Sequence, residues 1–187
     1  YRNNGVLTHQ YCPHYFRTNN PSLIDYLSNF TNWIAGNYIV KSSYQNQLLP
    51  FPINLDTLEQ FFGVPLDGAI ARKFLDDEKV EIENLGNSEE FVLSRVGRQL
   101  YEAFYLNYTL KQWGKHPREL EPSVCGRIPV RFNRDHRYVD HRYQLMPAQG
   151  YTAMMQKMIN HPNIHLLLNT DYRDINLSEI PYVVYTG

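Results

Sequence analysis

The spacing of apolar and polar positions divides the chain into helical, extended and irregular stretches. Asn20-Pro21 opens a helix, with the asparagine as cap and the proline at the first helical position. Leu23, Leu27, Phe30 and Ile34 form its apolar stripe, and Gly36 ends it. Residues 38–49 mix β-branched and aromatic side chains and predict a pair of strands. Asn54 begins a short helix that stops at Gly63, and Pro65 begins another that runs to about Leu75. The charged stretch 76–90 predicts a solvated loop. It leads into a long helix over 88–109 with Val92, Val96, Leu100 and Phe104 on one face. Beyond it the periodicity fades. Pro129-Val130-Arg131-Phe132 predicts a strand. Gly150 precedes a helix in which Tyr151, Met154, Met155, Met158 and Ile159 repeat at i, i+3, i+4, i+7 and i+8, with the methionines as core filler. Strands at 164–168 and 182–185 close the chain. The pattern predicts an α+β fold: a polar, irregular segment over 1–19, a helical bundle over 20–109, and a segment with antiparallel strands over 110–187.

Composition narrows this picture. With 187 residues, 43% apolar and 20% charged, the chain is long enough and apolar enough for a real core. A net charge of -1 argues against a protein that lives on a nucleic-acid backbone. Cys12 and Cys125 form neither a CxxC nor a disulfide framework, which points to a reducing, cytoplasmic setting. No stretch reads as a signal peptide or as a membrane span. The chain opens at Tyr1-Arg2-Asn3 without an initiator methionine. It closes on Val183-Val184-Tyr185-Thr186-Gly187, which reads as a buried strand entering a turn. The expectation is an internal piece of a longer protein.

The candidate chemistry gathers in the second half. Residues 135–143 read DHRYVDHRY, a near repeat. His136 and His141 stand five apart with no cysteine and no third close ligand, a spacing that fits neither a helix face nor a strand face, so no metal site is predicted. Arg127, Arg131, Arg134, Arg137 and Arg142 fall within sixteen residues, opposed only by Asp135 and Asp140. Guanidinium forks suit phosphate oxygens, and neighbouring tyrosines suit a base or a sugar. From the residues alone, a nucleic acid, a small nucleotide and a merely solvated strand edge all stay open. Tyr108 and Trp113 sit where the long helix ends, placed either to flank a ring or to cap the helix. His14 and Arg17 lie on an irregular stretch near the start.

Taken together, CPHYFRT (12–18), LPFPINL (49–55), LYEAFYLNYTLKQWG (100–114), RIPVRFN (127–133), MPAQGYT (146–152) and VVYTG (183–187) resemble the UDP-galactopyranose mutases, in that family's order and spacing. EAF-x3-YT-x-KQWG followed by RIPVRF is the most specific part. The resemblance implies a three-domain, FAD-dependent isomerase. It would interconvert UDP-galactopyranose and UDP-galactofuranose through a flavin N5–sugar adduct on reduced FAD, in the biosynthesis of cell-surface polysaccharide. It implies that Arg127 closes on the pyrophosphate and that Tyr138 contacts the diphosphate. Phe104, Tyr105, Tyr108 and Trp113 would line the uridine and sugar path, and His14 and Arg17 would lie near the flavin. The family's glycine-rich FAD fingerprint would precede residue 1, so this chain alone is expected neither to hold FAD nor to turn over. No nucleic acid and no membrane are implied as partners, and a homodimer is the assembly to test.

Departures from the family's pattern sit close to the implied flavin and sugar. Cys12 stands for a usual glycine, Arg17 for a histidine, Tyr38 for an asparagine, and Val139 for a phenylalanine. Two other functions stay open beside the mutase: a related flavoprotein oxidoreductase, and a non-catalytic sugar-nucleotide binding module.

Overall fold

The computed structural model describes residues 2–10, 14–178 and 180–186. The chain is α+β, with helices and short antiparallel sheets. It divides into two compact units. The first joins 1–14, 20–34 and 146–187, and the second joins 15–19 and 35–145. Among the described residues no helix is long and apolar enough to cross a membrane.

The first unit begins with a hairpin where the sequence reads as irregular. Strands β1 (Arg2–Asn3) and β2 (Val6–Leu7) pair antiparallel around Asn4-Gly5, both at positive φ (48° and 82°). Asn-Gly is the sequence best suited to such a turn. Cys12, with its neighbours Tyr11 and Pro13, lies outside the described residues, as do Glu179 and Gly187. Strand β3 (Phe16–Thr18) belongs to the second unit. Helix α1 (Pro21–Leu27) starts as expected, with the Asn20 side chain accepting from the Ser22 N–H at 3.0 Å. It stops at Leu27, more than two turns short of Gly36. Ser28 and Asn29 turn their side chains back onto the carbonyls of Ile24 and Tyr26. Ile34 therefore lies in strand β4 (Trp33–Ala35), not on a helix.

In the second unit, β5 (Val40–Tyr44) and β6 (Gln47–Phe51) form the expected pair, in register from Val40↔Phe51 to Tyr44↔Gln47. Helix α2 (Leu55–Phe62) has the predicted bounds, because both of its signals are local. Asn54 and Thr57 cap each other's backbone, and Gly63 closes the helix in the left-handed region. Helix α3 (Gly68–Glu78) starts later than Pro65, because the Asp67 carboxylate captures the N–H groups of Ala69 and Ile70.

The long helix is three elements. Helix α4 (Ser88–Leu100) is interrupted at Gly97 (φ 75°), a π-helical turn spans Tyr101–Leu106, and α5 (Asn107–Trp113) follows. Val92, Val96, Leu100 and Phe104 all face the core. They pack with Leu49, Ile53, Leu58, Ala71, Leu75, Tyr101 and Tyr105. A step of four from Phe104 would bury Tyr108. The wider π turn shifts the register by one, so Thr109 is buried and Tyr108 points outward.

Helix α6 (Pro122–Gly126) is pinned to the start of α4: the Ser88 hydroxyl donates to the Glu121 carbonyl at 2.6 Å. No strand forms at 129–132. That segment lies beside 53–55 through only two backbone bonds, Arg131 N–H to Ile53 O and Leu55 N–H to Asn133 O. Strand β7 (Tyr143–Pro147) pairs with β3 with Arg17 opposite Gln144.

Back in the first unit, α7 (Tyr151–Ile159) is present, but only Met154 of its methionines is fully buried and Met155 is exposed. No strand occurs at 164–168 or 182–185. Both stretches are solvent-exposed, which corrects the expectation of closing strands there.

Candidate functional site

Two concavities of the second unit share a wall. One is a narrow slot of about 20 Å³ between α5, the π turn and α6, lined by Phe51, Phe104, Tyr105, Tyr108, Thr109, Trp113, Val124, Cys125, Arg127, Ile128 and Tyr138. The other is a cleft of about 370 Å³ lined by Arg17, Asn19, Arg127, Ile128, Pro129, Tyr138, Val139, Asp140 and His141. Arg127, Ile128 and Tyr138 line both.

The slot is aromatic. Phe104 and Tyr105 are buried inside it, and Phe51 lies 6.0 Å and 5.8 Å, ring centre to ring centre, from these two. Burial pushes the Tyr105 hydroxyl well above the usual tyrosine range. Tyr108 and Trp113 stand at the mouth, 52% and 46% exposed. At its base the Thr109 hydroxyl meets the thiol of buried Cys125 at 3.7 Å. At about 20 Å³ the slot has room for little more than a single water, so a ring would enter only if Tyr108 or Trp113 at the mouth swung aside.

The cleft is polar. Arg127 directly follows α6, so its backbone is fixed while its side chain is exposed. Arg17 projects from β3. Neither guanidinium has an ion-pair partner among the described residues. The other arginines of the cluster are engaged. Arg131 binds Asp140, Arg134 binds Asp56 and Glu59, and Arg137 binds Asp135. Arg142 lies over the Tyr143 ring at 5.1 Å. Of the five clustered arginines three form ion pairs and Arg142 lies on a ring, which leaves Arg127 without either kind of partner among the described residues.

Tyr138 lines the same cleft, half-buried. Burial raises its hydroxyl pKa, as does the nearby Tyr108, while Arg127 opposes the rise. The hydroxyl is therefore a donor across the neutral range. Its backbone N–H donates to the Tyr38 carbonyl at 3.1 Å, and Tyr38 stacks on Tyr15 at 4.3 Å.

The histidines of the repeat serve other ends. His136 Nε2 meets the Asp56 carboxylate at 2.5 Å. His141 lines the cleft with its Nδ1 buried and unpartnered, and the Tyr15 hydroxyl is likewise buried and unpartnered. No cluster of three or more His, Cys, Asp or Glu suited to a metal occurs among the described residues.

The structure thus brings Phe104, Tyr105, Tyr108, Trp113, Arg127, Tyr138 and Arg17 to two adjoining concavities. His14 lies in the first unit and is itself exposed, with its N–H donating to His9 Nδ1 at 3.3 Å. Sequence reasoning missed Asn19, Asp140 and His141 in the cleft, and Phe51, Thr109 and Cys125 in the slot. The DHRY repeat held Asp140 and His141, and the stretches 49–55 and 100–114 held Phe51 and Thr109, without assigning any of the four to a site. The orphaned His141 nitrogen and the free Arg17 fit the edge of a site beside an electron-rich ring such as a reduced flavin. No glycine-rich turn in this sequence would cradle the pyrophosphate of FAD.

An aromatic slot thus adjoins a cleft lined by two arginines. Residues 103–187, which supply most of both concavities, match the model of the family described as UDP-galactopyranose mutase. The chain is similar to sugar-nucleotide mutases. It is 36% identical to a probable UDP-galactopyranose mutase of Klebsiella pneumoniae, over 97% of this chain and 48% of that protein. It is 34% identical to the dTDP-fucopyranose mutase of Escherichia coli, over 94% of this chain and 47% of that protein. A UDP-galactopyranose mutase of Mycoplasma pneumoniae is 28% identical over 88% of this chain and 43% of that protein. The chain spans about half the length of the curated relatives it matches.

Proposed function

We propose that this chain forms the substrate-binding part of a flavin-dependent UDP-galactopyranose mutase, an isomerase that exchanges the pyranose and furanose forms of the UDP-linked sugar. The observation that carries this reading is the shared wall. Arg127 and Tyr138 line both the aromatic slot and the polar cleft, where the diphosphate of a sugar nucleotide would lie if its base entered the slot.

The chain's own residues bind and position. Tyr108 and Trp113 hold the base, with Phe104 and Tyr105 behind them. The Tyr138 hydroxyl donates to the diphosphate. Arg127, without an ion-pair partner among the described residues, stabilises the charge that gathers on UDP as its bond to the sugar weakens. Arg17 and His14 are assigned to the flavin side. Reduced FAD, when bound in the whole protein, supplies the nucleophile needed at the anomeric carbon. A cytoplasmic site of action and a homodimer belong to this proposal as well.

The second reading is a deoxythymidine-diphosphate sugar as substrate. It is favoured by the 34% identity to the dTDP-fucopyranose mutase, close to the 36% of the first relative named.

The test uses the whole protein carrying this chain, loaded with FAD, with UDP-galactofuranose supplied in the presence or absence of dithionite. Formation of UDP-galactopyranose only with dithionite is the expected result. No conversion of UDP-galactofuranose, with conversion of a dTDP-linked furanose, would establish the second reading. Failure of both substrates with reduced flavin would overturn the mutase assignment.

A further inference from the structure

Arg131 differs from every other arginine of its cluster: it is 7% exposed. It lines neither concavity. Four of its five N–H donors are used within the 135–140 loop. Its Nε and one Nη reach the Asp140 carboxylate at 3.1 and 2.5 Å, and the other Nη reaches the carbonyls of Asp135 (3.4 Å) and Arg137 (2.5 Å). The carbonyl of Arg137 belongs to the same peptide unit as the N–H of Tyr138. That N–H donates to Tyr38 O. The peptide entering Tyr138 is thus clamped from both ends, by Arg131 and by Tyr38. One residue beyond, the Val139 carbonyl accepts from buried Gln144 at 3.0 Å.

We infer that Arg131 is a positioning residue for the nucleotide site, its buried guanidinium holding the 135–140 loop so that Tyr138 stands at the wall shared with Arg127. The inference rests on the proposed binding of a nucleoside diphosphate by Tyr138. In this role the positive charge of Arg131 is spent on the loop and does not touch phosphate. Asp140, 66% exposed, is the accessible end of the clamp. Removing the guanidinium leaves two carbonyls without their donor and frees the peptide plane that aims the Tyr138 ring.

The test is a double-mutant cycle in the whole protein, reading UDP affinity by calorimetry for Arg131→Met, Tyr138→Phe and the pair, with thermal melts alongside. Arg131→Met is expected to weaken UDP binding about tenfold, yet by less than about twofold once Tyr138 is already Phe, because the two act through one contact. Arg131→Lys, which keeps the charge but not the planar fork, should fall between Met and wild type. Equal losses in both backgrounds, or no loss at all, would overturn the inference.

If Arg131→Met does not fold, Asp140→Asn loosens the same clamp from its solvent side. It is expected to weaken UDP binding although it removes a negative charge from the cleft, and tighter binding would count against the role. A ligand-free readout separates this inference from the functional reading. In protein labelled with fluorotyrosine, the Tyr138 resonance, assigned by its loss in Tyr138→Phe, should shift in Arg131→Lys. A shift without UDP binding by the wild type would sink the nucleotide reading and keep the positioning role. An unmoved resonance would sink the positioning role itself.

Discussion

At the scale of single residues, the cluster read as a basic patch is a division of labour. Arg127→Ala is expected to weaken UDP binding by about 2 kcal/mol, roughly thirtyfold, as one charge-assisted contact is lost. Arg134→Ala, which breaks pairs with Asp56 and Glu59 outside both concavities, should leave UDP affinity unchanged. Calorimetry on the two variants checks both. Asp135 gives a pH prediction. Hydrogen bonding from Arg137 holds its carboxyl down at about 2 against the opposing effect of burial. A depressed carboxyl stabilises the fold fully above its ordinary pKa, near 4, and that contribution fades as pH falls toward the folded value. Denaturation midpoints should therefore decline between about pH 4 and pH 2 more steeply in the wild type than in Asp135→Asn. Parallel curves would remove Asp135 from the loop's stability. The sequence displayed these side chains but not their pairing: Arg131 and Arg127 lie in one RIPVR stretch, and only the loop packed around Arg131 tells them apart.

At the scale of elements, what was legible followed from how local each cause is. The helix from Asn54 to Gly63 was readable because both of its ends are set by residues within four positions of it. The end of α1 was not, since Ser28 and Asn29 stop it by bonds that no breaker residue announces. The strands expected at 129–132, 164–168 and 182–185 have suitable composition, but a strand also needs a partner in register, which no local pattern encodes. The π turn escaped for a further reason, because an i, i+4 stripe stays intact up to Phe104 and the shift shows only beyond it. Deleting one residue of the turn, such as Ala103, should rotate α5 by about 100° relative to α4. The expected outcome is loss of UDP binding with far-UV circular dichroism retained. Gly97 marks the other irregularity. A Cβ there would stand 2.4 Å from the Glu78 carbonyl at a φ of 75°. Gly97→Ala is therefore expected to destabilise the protein by about 2 kcal/mol or more, measured by urea unfolding.

At the scale of the whole molecule, much of the apolar surface stays in water. Leu167, Leu168, Tyr182 and Val184 are between 62% and 86% exposed, and all lie beyond α7. A run of such residues promotes association. The 187-residue chain expressed by itself should self-associate in light scattering, and a version ending at Asn160 should be monodisperse. A monodisperse full chain would show that this surface is not adhesive. The wall shared by slot and cleft has a last consequence. One exposed guanidinium, that of Arg127, lines both compartments, so binding in one is expected to be felt in the other. If inorganic diphosphate in the cleft draws Arg127 toward itself, the slot's affinity for a nucleoside should change, and by reciprocity the nucleoside should change the affinity for diphosphate by the same factor.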